Sequence, residues 1–218
     1  YGLPAVTVDQ EITSELTPWE ITSTLIELDS NANAWAVNGH DDRSVAFAAR
    51  LMEKGVNVRI VDQSTKISGA KISRGSVIVA TVDNPDLSNL SKLVADEAKY
   101  LGTTIASISS GYGKGDLPDW GGRHFRLLNR PQVAILSHDG FNSYDVGASW
   151  WSIDHHLGIR HSQINSSFIS RADLRRYNTI VMPSGSRNLN ASETVMLSDW
   201  IKQGGTLIAH GWSSNSLA

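Results

Sequence analysis

Short apolar runs alternate along the chain with longer segments whose apolar positions recur at helical spacing. In the first half, four apolar runs predict β-strands, and the segments after the first and third of them predict helices. One helix, over 85–101, has Asn84 as a candidate cap and Gly102 as a stop signal. The predicted strands are 34–39, 56–62, 76–82 and 103–110, and the other helix is 44–55.

The second half continues this alternation of strands and helices. Its last helix is the best marked, because Asn190 followed three residues later by Glu193 is typical of a capping box. The predicted helices are 143–157 and 191–203, with a helical turn at 173–177. The predicted strands are 125–128, 132–137, 159–165, 178–183 and 206–209.

Strands that alternate with helices predict an α/β fold of parallel sheets with helices on both faces. The Gly-rich stretch 111–122 and Pro131 separate two α/β halves. We therefore expect an N-terminal α/β domain over 1–122 and a second domain over 123–218. Within the first, residues 1–18 are expected to form an extended edge segment or connection, and 19–29 fit either a strand or a short helix.

Composition excludes several classes of protein. Nineteen basic and 22 acidic residues give a formal charge of −3, so we expect no nucleic-acid partner. No apolar run approaches the length of a membrane-spanning helix, and no membrane span is expected.

The 218 residues include no cysteine, which excludes disulfides and a cysteine nucleophile. Because the sequence begins with Tyr1, we expect a processed protein or a fragment.

Candidate ligand-binding residues cluster where the predicted strands of the second half end. Doubly wound folds bind ligands at this carboxyl edge of the sheet, so we expect a shared cleft there. Asn142 also has a structural interpretation, as the cap of the helix that follows it. The candidate cleft residues are His138, Asp139, Asn142, Ser184, Ser186 and His210.

The predicted helix 143–157 carries two unusual pairs. His155 and His156 are adjacent and point about 100° apart on a helix, so the dipole at its C-terminal end explains them better than a shared metal ion. No metal site is assigned. Trp150 and Trp151 are also adjacent, and we expect core packing for them, whereas exposure would indicate an interface.

Much of the second half resembles a known family. The resemblance is carried by RHFRLLNRPQVAILSHDGFNSYDVGASWWSIDHHLGIRHSQI, LRRYNTIVMPSG and WIKQGGTLIAHG, which span residues 123–211. These segments resemble the region beyond the catalytic domain in large bacterial zinc carboxypeptidases of the M14 family. That region is similar in turn to class I glutamine amidotransferase-like domains, which have a flavodoxin-like sheet.

The resemblance implies a nucleophile position that this chain does not fill. In active amidotransferases a turn of the form A-I-C-H-G carries the nucleophilic cysteine, whereas residues 207–211 read L-I-A-H-G, with Ala209 in its place. A methyl group cannot attack a carbonyl, which excludes glutaminase chemistry by this route. The resemblance also implies that the second domain is truncated at its C-terminal end.

The zinc of an M14 peptidase is held by a His-x-x-Glu pair and a remote His, because catalytic zinc needs three protein ligands and an open position. None of the seven histidines is followed by Glu three positions later. We therefore expect no cofactor in this chain, and zinc in a separate catalytic domain of the same parent protein. Family members are usually exported, which implies a secreted or periplasmic location.

Three functions remain open at this point. The first is an accessory, non-catalytic region of an M14-type carboxypeptidase, with a structural role or a peptide or carbohydrate ligand. The second is a carbohydrate-binding or small-molecule-binding domain that acts alone. The third is a cysteine-independent hydrolase that uses His138, Asp139 and His210.

Overall fold

The structure is a computed structural model that describes residues 9, 28–29 and 31–217. Most of the predictions for 1–18 and 19–29 therefore lie outside the described residues. The strands are β1 (Ala34–Val37), β2 (Arg59–Val61), β3 (Thr65–Ile67), β4 (Ala70–Ile72), β5 (Val77–Ala80), β6 (Ile105–Ile108), β7 (Phe125–Leu127), β8 (Val133–Ser137), β9 (His161–Asn165), β10 (Thr179–Met182) and β11 (Thr206–Ala209). The helices are α1 (Arg43–Glu53), α2 (Leu90–Leu101), α3 (Ser143–Trp151) and α4 (Ala191–Lys202).

The first sheet has five strands in the order β6-β1-β5-β2-β7, and every neighbouring pair is antiparallel. The prediction of a parallel sheet in the first half is therefore wrong. The crossover through α1 does join two strands of the same direction, β1 and β2, but β5 lies between them in the opposite direction. Two split β-α-β units thus interleave, in the order of ferredoxin-like folds.

Among the described residues, helices cover one face of this first sheet, whereas the prediction placed helices on both faces. Side chains alternate along β1, so Trp35 and Val37 pack with the buried residues of α1 and α2. The small side chains of Ala34 and Ala36 point to the opposite face. There Ile67 and Ile72 of the β3–β4 hairpin and Trp120 pack against the sheet.

The second sheet confirms the parallel arrangement predicted for the second half. Its order is β11-β10-β8-β9, and all three pairs are parallel. Its strands are buried in the middle and exposed at the β11 edge. This apolar, doubly covered centre is the pattern expected of a parallel sheet.

Helical segments cover both faces of the second sheet, as predicted. On one face, Leu197 and Trp200 of α4 pack on the sheet together with residues from two short 3₁₀ segments, Ser166–Arg171 and Leu174–Arg176. On the other face lie α3 and a π-helical turn, Ser152–His156, that continues it. A third 3₁₀ segment, Gly211–Leu217, follows β11.

Helix capping agrees with the sequence at α4 and differs at α2. The capping box of Asn190 and Glu193 is present. Asn84, by contrast, does not cap a helix, since α2 begins six residues later. Its buried side chain accepts a hydrogen bond from Asn57 N–H (2.7 Å) and donates to the carbonyls of Asn57 (3.0 Å) and Ala80 (2.9 Å). These bonds tie the end of β5 to the start of the β2 segment.

The two sheets share α1, which packs on both of them. Phe47 and Leu51 belong to the core under the first sheet, whereas Ala49 belongs to the core of the second. The first sheet ends with β7, just beyond the division expected at residues 122 and 123, and the second begins at β8. Among the described helices, none is long and apolar enough to cross a membrane.

Candidate functional site

The strand order of the second sheet reverses between β8 and β10, because the chain passes from β8 outward to β9 and then returns to β10 on the other side. Crevices at such switch points are the usual ligand sites of open α/β sheets. A cleft of about 780 Å³ opens at this point. It is lined by residues 140–142 after β8, 184–188 after β10, and Trp212 and Asn215 after β11.

The floor of the cleft is backbone from two loops that bridge each other. Phe141 and Gly185 form an isolated antiparallel bridge. Beside it, Asn142 N–H donates to the Ser184 carbonyl (2.9 Å) and Ser186 N–H donates to the Gly140 carbonyl (2.8 Å). A Cβ at Gly185 would lie 2.2 Å from the Gly140 oxygen, so only glycine allows this approach.

The loop after β11 forms one side of the cleft, next to the two loops of the floor. Trp212 N–H donates to Ser184 Oγ (3.1 Å). Gly211 has a left-handed conformation (φ +59°), and a Cβ there would lie 2.4 Å from the same Oγ atom. The Trp212 side chain, anchored at its backbone, remains 75% exposed beside the cleft. A large apolar ring that is exposed to solvent is a candidate contact surface for a ligand.

One charged residue, Arg187, lies among the described residues that line the cleft. Its guanidinium donates to Glu193 Oε1 (2.6 Å) and to the Asn188 carbonyl (2.9 Å). Glu193 is buried and also accepts a hydrogen bond from Asn190 N–H in the capping box. The Arg187 charge is therefore already neutralised, and the surface offered to a ligand consists of amides, hydroxyls and aromatic rings.

Three of the six predicted cleft residues line this cleft, namely Asn142, Ser184 and Ser186. Asn142 also has the structural role considered above, because its Oδ1 accepts hydrogen bonds from Tyr144 N–H (2.9 Å) and Asp145 N–H (3.4 Å). Its Nδ2 group makes no hydrogen bond within the described part of the chain, so it can donate to a ligand.

The other three predicted residues point elsewhere and do not converge. His138 Nδ1 lies 2.8 Å from Ser137 Oγ, and Ser137 is buried (2% exposed). Asp139 accepts a hydrogen bond from Ser167 Oγ. His210 Nε2 lies 3.2 Å from Oγ of Ser149 on α3. The structure therefore does not assemble these three side chains into one catalytic group.

The aromatic pair on α3 is exposed, so the prediction of core packing is wrong. Trp150 is 41% and Trp151 is 50% exposed, and the described part of α3 contributes no buried residue. The Trp151 ring stacks on His155 with 3.7 Å between centroids, a contact made possible by their spacing of four residues. In residues 28–29 and 31–217, no group of three His, Asp or Glu side chains is arranged to hold a metal ion.

Sequence reasoning missed Arg187, Asn188 and Asn215 as parts of the cleft. The exposure of the Trp212 ring could not be read from the sequence either. The available signal was the position of Arg187 and Asn188 between the end of β10 and the capping box. Such a short connection has to run along the carboxyl edge of the sheet.

One acid with a lowered pKa, Glu97, lies in the first half, away from the cleft. Burial alone would raise the pKa of Glu97, but hydrogen bonds from Lys54 and Arg50 outweigh that effect, and the pKa is lowered. The Arg50 contact is 2.6 Å long. These bonds hold α1 against α2, so this perturbed carboxyl group is structural.

Comparison with protein-family models, with curated proteins and with solved structures gave no match for the chain.

Proposed function

We propose that this chain is a non-catalytic ligand-binding unit whose cleft between β8 and β10 takes a neutral saccharide. One observation carries the proposal: an exposed indole stands beside amide and hydroxyl groups, and the charged residue lining the cleft is already paired. Binding pockets commonly combine an apolar contact surface with a few polar groups that fix orientation.

The lining groups suit the surface of a sugar. Trp212 offers a flat apolar face for the C–H face of a pyranose ring, while its backbone is held by Ser184. The side chains of Asn188 and Asn215 carry both donors and acceptors, which sugar hydroxyls need. Neither side chain makes a hydrogen bond within the described part of the chain, so both are available without loss of a protein contact.

The same lining argues for binding rather than hydrolysis. Glycosidases of the usual kind need two carboxyl groups that flank the scissile bond. No Asp or Glu is among the described residues that line the cleft. The Ser–His contacts, at His138 and His210, lie outside the lining, and no carboxylate in the described residues orients either ring.

A thermal-shift panel tests the proposal, with neutral mono- and oligosaccharides, short peptides and divalent metals as probes. A saccharide at one hundred times its dissociation constant is expected to stabilise the chain by about 2.7 kcal/mol. A shift with at least one saccharide supports the proposal. A shift with peptides alone, or with none of the probes, contradicts it.

We also propose that the unit serves a longer zinc carboxypeptidase of the M14 type, with an amidotransferase-like second half. The support is the resemblance of residues 123–211, together with the place of Ala209 as the last residue of β11 before the left-handed Gly211. Zinc, peptide cleavage and export would then belong to the parent protein. The gene should encode a His-x-x-Glu motif upstream of Tyr1, and a parent reading frame without it would contradict this context.

A further inference from the structure

A smaller pocket, of about 260 Å³, opens at the edge of the second sheet that lies opposite the saccharide cleft. It is lined by residues 130–133, 160–162 and 176–177, which precede or begin β8, β9 and β10. Because these strands are parallel, their amino ends meet at one edge. The saccharide cleft lies at their carboxyl ends, so the two sites are separate.

Positive charge is concentrated in this pocket. Three arginines, and no Asp or Glu, are among the described residues that line it. Arg130 and Arg160 both pair with the same carboxylate oxygen, Oε1 of Glu53 on α1, so one negative charge serves two guanidinium groups. The whole chain has a formal charge of −3, and this local excess of positive charge therefore runs against the overall balance.

The third arginine, Arg176, has no counter-charge in contact with it. Its side chain makes no hydrogen bond or ion pair within the described part of the chain. Asp173, three residues earlier, is already held by Nε (2.8 Å) and Nη2 (3.0 Å) of Arg175. The pocket thus places three guanidinium groups against one carboxylate, which leaves an excess of two positive charges.

These arginines are open to solvent, so a ligand can reach them. The side chain of Arg130 is 45% exposed, that of Arg160 is 79% exposed, and Arg176 is exposed as well. A guanidinium group has five N–H donors. The contacts of Arg130 and Arg160 with Glu53 therefore leave further donors on both side chains.

We propose that this pocket binds the phosphate group of a small soluble phosphate monoester. Such a group carries a charge of about −1.5 to −2 at neutral pH and has three strong acceptor oxygens, which suits the excess of positive charge. Arginine is also the side chain best shaped for phosphate, because its planar fork can donate two parallel hydrogen bonds to neighbouring oxygens.

The size of the pocket and the charge of the chain favour a small ligand over a macromolecule. The pocket is smaller than the roughly 300–1,000 Å³ of sites that enclose a drug-sized ligand, so it suits the phosphate group and little more. The net negative charge of the chain disfavours binding to a nucleic acid or to an anionic membrane.

The test is a calorimetric titration of glycerol 3-phosphate into the wild type, Arg176→Gln and Arg175→Gln. Arg176→Gln removes the unpaired charge without breaking a contact, and we expect it to weaken binding about tenfold or more, because hydrogen bonds between charged groups are lost. Arg175→Gln is the matched control. It removes the same charge from the adjacent residue, which pairs with Asp173 and does not line the pocket, so the wild-type affinity should remain.

Three further titrations test the ligand class and the location. Acetate, which has a single negative charge, should bind the wild type at least about tenfold more weakly than glycerol 3-phosphate. Vesicles that contain an anionic phospholipid should not bind the chain. Trp212→Ala, in the other cleft, should leave the affinity for glycerol 3-phosphate unchanged, since the phosphate site does not depend on the saccharide site.

Several results would overturn the proposal. They are the absence of binding at millimolar glycerol 3-phosphate, unchanged affinity in Arg176→Gln, and an equal loss in Arg175→Gln or in Trp212→Ala. Equal affinity for acetate would contradict the phosphate class. Binding to the anionic vesicles without binding to the soluble phosphate would show a membrane-contacting surface instead of a phosphate pocket.

Discussion

Gly185 lies where the two loops that form the floor of the saccharide cleft come closest. A Cβ at this position would lie 2.2 Å from the Gly140 oxygen and 2.8 Å from Phe141 Cα, both of them backbone atoms that cannot simply rotate away. We expect Gly185→Ala to lower the free energy of unfolding by at least about 2 kcal/mol and to abolish ligand binding in the cleft. Urea denaturation and the thermal-shift panel measure the two effects.

Gly147 provides the matched control for that substitution. It lies within α3, and a Cβ there would meet no atom within 4 Å. Alanine restricts the unfolded chain and favours the helix, so Gly147→Ala should stabilise the protein by about 0.5–1 kcal/mol. Equal stability changes in the two variants would contradict the close loop approach.

Glu97 joins α1 to α2 from a buried position. Its carboxylate accepts hydrogen bonds from Arg50 and Lys54. Glu97→Gln removes the charge while the two cations remain, and we expect it to lower the free energy of unfolding by about 2 kcal/mol at neutral pH. Urea denaturation checks this value. Asp96→Asn, in the exposed pair with Lys92 on the same helix, should have little effect.

The contribution of Glu97 to stability depends on pH in a way that follows from the direction of its pKa shift. The pKa of Glu97 in the folded chain lies below its ordinary value of 4.5. Its stabilising effect is therefore fully present above pH 4.5 and is lost as the pH falls through the lowered pKa. The stability difference between the wild type and Glu97→Gln should shrink in that acidic range. A difference that stays constant from neutral pH to that range would be inconsistent with a charged Glu97.

At the scale of elements, α2 and α4 differ in how their first turns are satisfied. Asn190 Oδ1 accepts a hydrogen bond from Glu193 N–H (3.0 Å), whereas the Asn89 side chain caps nothing. Asn190→Ala should therefore destabilise the chain by about 1 kcal/mol, and Asn89→Ala should change the stability little. Paired urea curves measure both substitutions. Similar losses in the two variants would show that the first turn of α2 is capped in solution.

The elements of the second half could be predicted well from local patterns. Its central strands, β8 and β10, are apolar and buried, and its last helix has a complete capping signal, so periodicity and caps locate these elements within a few residues. The continuation of α3 as a π-helical turn at Ser152–His156 was not predicted. A π-turn differs from an α-helix in one hydrogen-bond step, which the spacing of apolar residues does not reveal.

The first half shows where local patterns fail. A strand, a helix and a second strand of the same direction look alike in sequence whether the strands are neighbours or have another strand between them. The polar segment 63–74 gave no strand prediction, yet it forms the β3–β4 hairpin. At Asn84, long-range hydrogen bonds to Asn57 override the local capping signal. The order of strands in a sheet and long-range hydrogen bonds depend on residues far apart in the sequence, so local patterns do not predict them.

The position of the candidate site could be predicted from the sequence, but only some of its lining residues could. The order of the parallel strands locates the carboxyl edge, and three of the predicted side chains line the cleft there. His138, Asp139 and His210 follow the same strands but turn toward Ser137, Ser167 and Ser149. The direction of a side chain in a loop depends on backbone torsions, such as the positive φ of His138, that the residue type does not determine.

For the whole molecule, α1 connects the two halves. Ala49 packs with Ile135 and Val181 of the second sheet, and Glu53 pairs with Arg130 and Arg160. We expect Ala49→Leu to overfill this interface and to lower the free energy of unfolding by about 1–3 kcal/mol. Hydrogen exchange should accelerate in β8 and β10, although the substitution lies in the first half.

Val45→Leu on the exposed side of α1 is the control for this prediction, since Val45 is 59% exposed. It should leave both stability and exchange nearly unchanged. Exchange in β8 and β10 that is unaffected by Ala49→Leu would mean that the two sheets are stable independently of each other, against the shared-helix arrangement.

The most direct test of the proposed function is a calorimetric titration of the best saccharide from the panel into the wild type, Trp212→Ala and Trp151→Ala. Trp212 lines the cleft, whereas Trp151, which is 50% exposed on α3, lies outside it. Saccharide binding in the cleft predicts at least a tenfold loss of affinity in Trp212→Ala, about 1.4 kcal/mol, and wild-type affinity in Trp151→Ala. Unchanged affinity in Trp212→Ala would contradict the cleft as the binding site.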